Sequence, residues 1–281
     1  MNLYTINTGT FKLDGGAMFG VVPKSIWNKL NPADSNNMCT WAMRCLLVQD
    51  GNRLILIDNG IGDKQDDKFM SYYFLGHETT LEKSLNYYGF GRGDITDVFL
   101  THLHFDHCGG SIRWNKDRTS YETAFPNACF WSNREHWEWA TKPNAREKAS
   151  FLKENILPIQ ESGQLEFVDG LNELIPGFSW ITVNGHTGSM MLPKINYNGK
   201  TLVYMADLIP SVAHIPVAYV MAYDTRPLIT LEEKAAFLKD AAANDYTLIF
   251  EHDAVHECCS LIQTERGIRS SETYTLSSFT G

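Results

Sequence analysis

The chain has 281 residues, enough for one large α/β domain or two small ones, and 43% hydrophobic residues supply a core. A net charge of −9 disfavours a nucleic-acid groove, which needs a basic stripe. No apolar run long enough to span a membrane occurs, and no basic, apolar, small-residue pattern opens the chain, so the expected compartment is the cytoplasm.

The alternation in Met1–Phe11 predicts a first strand. Next comes Leu13–Lys24, with Gly15-Gly16 followed by Met18, Phe19, Val21, Val22 and then Trp27. It reads as a flexible loop with exposed apolar groups: a wall for an acyl or aryl group, an ordinary loop packed on the core, or a homodimer contact through Gly15–Leu30. Cys45–Val48 and Leu54–Asp58 flank the hairpin signal Asp50-Gly51-Asn52. Thr80–Tyr88 has helical spacing and Gly89 as a stop. Asp97–His102 reads as a buried strand. Ser132 with Glu135, and Thr230 with Glu233, are capping-box patterns that open helices. Phe178–Val183 is a strand, Asn198-Gly199 joins Met191–Tyr197 to Thr201–Ala206, and Thr247–Glu251 reads as the last buried strand. No repeat, low-complexity segment or linker divides residues 1–281, so one domain is expected, with two packed sheets and helices outside.

The segment Thr101-His102-Leu103-His104-Phe105-Asp106-His107-Cys108-Gly109-Gly110 places three histidines and one carboxylate within six positions. Neutral imidazoles and carboxylates are ligands for zinc and similar first-row ions. In an extended segment His102, His104 and Asp106 would point the same way, and Gly109-Gly110 would let the chain turn. Four potential ligands at the end of a strand are hard to explain as packing and suggest two metals. Cys108 reads as a small buried residue beneath the site. Six cysteines without a CxxC pair fit reduced thiols.

The run H-x-H-x-D-H is also the signature of the metallo-β-lactamase superfamily, and the sequence resembles that family along most of its length. Leu54–Gly60, Gly185-His186-Thr187-Gly188, Val203–Asp207 and Ile249–Asp253 are similar to four further family segments in the same order. The resemblance implies the αββα sandwich, an α/β fold of two mixed sheets flanked by helices. It also implies two divalent metal ions, with zinc the first expectation and manganese, iron or cobalt suited to the same donors. By that resemblance His102, His104 and His186 would hold one ion, Asp106, His107 and His252 the other, and Asp207 would bridge them. A hydroxide shared between the ions would be the nucleophile, Asp106 would return a proton to the leaving atom, and Asp58 would orient a ligand histidine. His104 disfavours the diiron flavoprotein branch, which carries Glu there.

Leu13–Lys24 and Pro216–Asp224 resemble the branch that contains N-acyl-homoserine lactonases and methyl parathion hydrolase. The resemblance implies a lactonase opening N-acyl-homoserine lactones, with organophosphate or aryl ester hydrolysis as the alternative and a metal-free scaffold as the non-enzymatic one. The expected partner is a small ester or lactone. Candidate substrate contacts are Met18, Phe19, Trp27, Phe105, His214 and Tyr223. One departure stands out. Pro210 occupies the place where some lactonases carry a tyrosine, three residues after the bridging aspartate, and Tyr223 would have to supply the phenol. His77, His136 and His256 read as non-ligands.

Overall fold

The computed structural model describes residues 1–76 and 78–280. Two compact units emerge from the contacts. Unit 1 holds residues 1–9 and 43–171, and unit 2 holds residues 10–42 and 172–281.

Unit 1 holds most of a six-stranded sheet, whose first two strands extend into residues counted with unit 2. Its strands are β1 (Asn2–Asp14), β2 (Met38–Asp50), β3 (Arg53–Ile57), β4 (Asp97–Phe99), β7 (Cys129–Ser132) and β8 (Leu165–Phe167), in the order β1-β2-β3-β4-β7-β8. A separate ribbon pairs β5 (Ile112–Trp114) with β6 (Tyr121–Thr123). Strands β3, β4, β7 and β8 are mutually parallel, whereas β2 and β3 are antiparallel. Parallel strands are covered on both faces and so run continuously apolar, which is why Leu54, Ile55, Leu56 and Ile57 are all buried. The register is pinned by buried Asp97, which accepts from Arg53 Nε of β3 (3.0 Å) and Trp131 Nε1 of β7 (2.8 Å). Leu47, Leu56, Leu85, Val98, Leu103, Phe125, Phe130 and Ile156 belong to the core of this unit.

Unit 2 carries the second sheet. It is made from β9 (Phe178–Val183), β10 (Met190–Tyr197), β11 (Lys200–Tyr204), β12 (Thr247–Ile249), β13 (Cys258–Thr264) and β14 (Gly267–Tyr274), in the order β14-β13-β12-β11-β10-β9. Only the β11–β12 pairing is parallel, because helix Pro227–Ala243 lies between those strands in the chain. Among the described residues, no helix is long and apolar enough to cross a membrane.

Several expectations need correction. Strand β4 stops at Phe99, and Phe105–Cys108 is a helical turn, so one extended segment does not align His102, His104 and Asp106. The helix after β7 is capped by Asn133, whose Oδ1 accepts from His136 N (2.7 Å), not by Ser132. The helix expected from Thr230 begins at Pro227, which suits the first turn because its missing N–H would have no partner there. Thr247–Glu251 is not the last strand. The half-exposed hairpin β13–β14 follows it, and its weakly apolar, Ser/Thr-rich pattern conceals it.

The segment expected to be an exposed loop forms helices Gly15–Phe19 and Lys24–Trp27, with Met18, Phe19 and Trp27 all buried. Phe19 stacks on Trp27 (5.4 Å between centroids) and on His214 (4.4 Å). These aromatics form the interior of unit 2, not an exposed wall.

Candidate metal-ligand clusters

In unit 1 the chain leaves β4 and turns through His102–His104 into helix Phe105–Cys108. The N–H groups of His107 and Cys108 donate to His104 O at 3.1 and 3.0 Å. The two glycines that follow permit close approach. A Cβ on Gly109 would lie 2.1 Å from Ile61 O, and one on Gly110 would lie 2.3 Å from Asn59 O. The tight packing draws the strand end at Asp58 against the histidine turn, with Asn59 N donating to His107 O (2.9 Å) and Gly110 N to Gly60 O (2.9 Å). Asp58 itself has φ of 54°, a left-handed conformation that aspartate tolerates better than most residues.

The ring nitrogens are held individually. His107 Nδ1 meets Asp58 Oδ2 at 3.1 Å, which leaves Nε2 on the side of Asp106, 3.8 Å from its Oδ2. Asp58 also accepts from Thr101 N (2.8 Å) and Thr101 Oγ1 (2.6 Å). Thr101 Oγ1 lies 3.1 Å from His102 Nδ1, and His102 Nε2 faces His104 Nδ1 at 3.1 Å. Glu147 Oε1 lies 3.8 Å from the other nitrogen of His104. Two imidazole nitrogens on one tetrahedral zinc would stand about 3.3 Å apart, from bonds of roughly 2.0–2.1 Å, so this pair has the spacing of shared ligands. Cys108 is buried, its thiol donates to Leu103 O (3.3 Å), and burial pushes its pKa up to about 12. It is a packing residue beneath the turn.

Unit 2 builds its cluster from three separate strand ends. Asp207 follows β11, after Ala206 with φ of 42°. His186 Nε2 lies 3.1 Å from one carboxylate oxygen of Asp207, and His252 Nε2 lies 3.1 Å from the other. Each ring is held through its other nitrogen. His186 Nδ1 pairs with Asp224 Oδ1 (2.8 Å), and His252 Nδ1 donates to Ala42 O (2.8 Å). Holding Nδ1 on a carboxylate or carbonyl fixes the tautomer that offers Nε2 to a metal. Burial works against a charge on His186, but Asp207 and Asp224 outweigh it and hold the pKa up to about 10. The pocket is thus built to accept positive charge. In both units the donors fit a divalent ion.

The remaining sequence candidates are placed as follows. His214 is fully buried. Its Nδ1 meets Ser211 Oγ at 2.7 Å and its Nε2 donates to Met18 O at 2.9 Å, while burial and then Lys234 push its pKa down to about 3. A neutral ring with both nitrogens engaged pins helix Gly15–Phe19, and the expected substrate contact is corrected to that role. Tyr223 is 40% exposed, beside Asp224. Phe105 meets Tyr73 (4.8 Å) and Phe69 (5.3 Å) in an aromatic trio. His136 Nε2 accepts from Leu103 N (2.9 Å) and supports the histidine turn. His256 donates its amide to Asp253 Oδ1 (2.7 Å). His77 lies outside the described residues.

Sequence reasoning missed Asp224, Glu147, Glu233 and the carbonyl of Ala42. Asp224 ends a segment already singled out, and Glu233 carried a capping pattern. Nothing local marks Glu147 or Ala42.

The profile of the Metallo-beta-lactamase superfamily matches residues 44–252. An N-acyl homoserine lactonase of Bacillus cereus is 25% identical over 195 residues, a stretch covering 66% of each protein and so just under two thirds of that relative's length. A probable metal-dependent hydrolase from Staphylococcus aureus superposes with a TM-score of 0.87 at 28% identity, covering 96% of this chain and 95% of its own. A dizinc quorum-quenching lactonase solved with a product superposes with a TM-score of 0.78 at 24% identity, covering 97% and 95%, and shares the fold. With a family profile running from within β2 to His252, the chain belongs to the metallo-β-lactamase superfamily.

Proposed function

We propose that the protein is a metal-dependent hydrolase that opens lactones, with N-acyl-homoserine lactones as the substrate class. The observation that carries this is the orientation of His107, His186 and His252. Each has Nδ1 held by an oxygen while Nε2 lies beside a ligand-type carboxylate. In this reading the two clusters contribute to one dinuclear centre. His102, His104 and His186 hold one ion, Asp106, His107 and His252 the other, and Asp207 serves both. Zinc is the first expectation for these donors. The family profile crosses both units, which supports reading residues 1–281 as one hydrolase domain.

When bound, such ions polarise the attacked carbonyl and bring the ionisation of water near neutrality. The chain's own groups do the rest. Asp58, Asp224 and Ala42 O hold the ligand rings so that little reorganisation is needed. Asp106 would pass the proton given up by the attacking water to the leaving ring oxygen as the ring C–O bond breaks. Phe105, Phe69 and Tyr73 give unit 1 an apolar wall for an acyl chain, and Tyr223 is the phenol available to the substrate carbonyl.

One observation favours a second reading, hydrolysis of organophosphates or aryl esters. Buried Pro210 offers only its carbonyl, which accepts from His252 N (3.2 Å), and no phenol stands there. The exposed side chains Val21, Ile26 and Leu30 are the proposed homodimer contact, and a monomer at all concentrations in sedimentation would exclude it.

The decisive experiment follows proton release from short- and long-chain acyl-homoserine lactones, using chelated and metal-reloaded protein. Metal-restored turnover is expected. Fully loaded protein that leaves lactones intact but cleaves aryl phosphotriesters would replace the lead reading with the second.

A further inference from the structure

The loop that carries His186 is gripped by one stretch of chain, residues 224–233. Glu233, on helix Pro227–Ala243, accepts from two consecutive amides with its two oxygens: Asn184 N to Oε1 at 2.7 Å and Gly185 N to Oε2 at 2.9 Å. The carbonyl of Gly185 accepts from Arg226 N (2.9 Å), and that of His186 from Thr225 N (3.0 Å) and Thr225 Oγ1 (3.0 Å). Gly185 lies so close to the helix that a Cβ would sit 2.2 Å from Thr230 Oγ1 and 2.3 Å from Thr230 N. Asn184 Oδ1 closes the loop on Ser189 N (3.0 Å).

We propose that Glu233 is a positioning residue that sets the backbone of Asn184–Gly185, and through it the metal-facing nitrogen of His186. The proposal rests on the reading of His186 as a metal ligand. Asp224 orients the ring but cannot place its Cα. A carboxylate bridging two successive N–H groups can, because both bonds are charge-assisted and fix the two successive peptide planes that flank Asn184 Cα against a 17-residue helix. Metal coordination tolerates errors of only about 0.2 Å, so a looser loop weakens binding without unfolding the protein. The geometry also separates charge from shape. In Glu233→Gln the amide NH2 would oppose one of the two N–H donors, so one bond is lost and a donor meets a donor.

The test compares wild type, Glu233→Gln and Glu232→Gln, the last an exposed neighbour on the same helix. Zinc affinity is read without substrate, by competition with a chromogenic chelator, and the ligand field is read from the visible spectrum of the cobalt-loaded protein. For Glu233→Gln we expect about tenfold weaker zinc binding and an altered cobalt spectrum, with unchanged far-UV circular dichroism. Glu232→Gln should match wild type in both. If Glu233→Gln does not fold, Glu233→Asp keeps the charge, shortens the reach by one carbon and should show the same losses. Wild-type affinity and spectrum in a folded Glu233 variant would overturn the positioning role alone. A wild type that takes up no metal would overturn that role and the metal reading together.

Discussion

Unit 1 draws its ligand-type residues from a six-residue run, His102 to His107, whereas unit 2 gathers three from the ends of different strands, His186, Asp207 and His252. The supports differ in the same way. In unit 1, Thr101 and Asp58 lie on the strand ends beside the turn, and two glycines let the backbones touch. In unit 2, His252 is held by Ala42 O, 210 positions away, and the His186 loop by residues 224–233. A cluster compact in sequence can be assembled by local turn geometry. A dispersed one exists only after the sheet has paired, so its precision depends on the surrounding elements.

The comparison can be broken by experiment, and removing ligands gives the largest effects. His107→Ala in unit 1 and Asp207→Ala in unit 2 should each lower metal-dependent turnover by more than the roughly 100-fold expected when an outer partner is lost. Metal content by atomic emission checks both. Full activity with either ligand missing would remove that residue from the proposed centre.

Outer partners come next. Asp58→Asn and Asp224→Asn should each weaken metal affinity by about 10–100-fold. Asp58→Asn should also lower the melting temperature of the metal-free protein, because Asp58 accepts two hydrogen bonds from Thr101. A normal melting temperature would show that the turn of unit 1 does not depend on that carboxylate.

The glycines test close packing in unit 1. Gly110→Ala should destabilise the fold by about 1–3 kcal/mol through overpacking against Asn59 O. Gly93→Ala, where a Cβ meets nothing nearer than 4.0 Å, should stay within about 0.5 kcal/mol of wild type. Urea midpoints measure both, and equal midpoints would mean that the backbone yields.

The smallest effect concerns pH. Burial pushes Lys234 down to about 7 and Lys64 down to about 8, from an ordinary value of 10.5. Between those values and 10.5 the unfolded chain binds more protons than the folded one, so these groups make stability rise with pH across that window. Lys234, whose Nζ donates to Tyr219 O (2.7 Å), gives unit 2 the larger share. Lys234→Met should flatten the slope between pH 7 and 10.5 in denaturant titrations, and an unchanged slope would contradict its burial as a titrating amine.

Much of the α/β character and the metal signature were legible in the chain. The hairpin turns at Asp50-Gly51-Asn52 and Asn198-Gly199, the buried run Leu54–Ile57 and the His102–His107 spacing are local signals, set by turn chemistry and side-chain period. Where local patterns served two masters, the sequence misled. Thr230 and Glu233 have the spacing of a capping box, yet Glu233 caps the amides of another segment. Met18, Phe19 and Trp27 follow a glycine pair and read as exposed, yet all three are buried, Phe19 packing against Trp27, Trp41 and His214 in unit 2.

What the sequence determined by itself is therefore the kind of atoms offered to a metal and the order in which strands present them. The tertiary structure decided which oxygen holds each imidazole, that His214 is a neutral pin, and that Asp224 meets the His186 ring while Glu233 meets the two amides before it. Those choices depend on contacts across tens to hundreds of residues, and no local propensity encodes them.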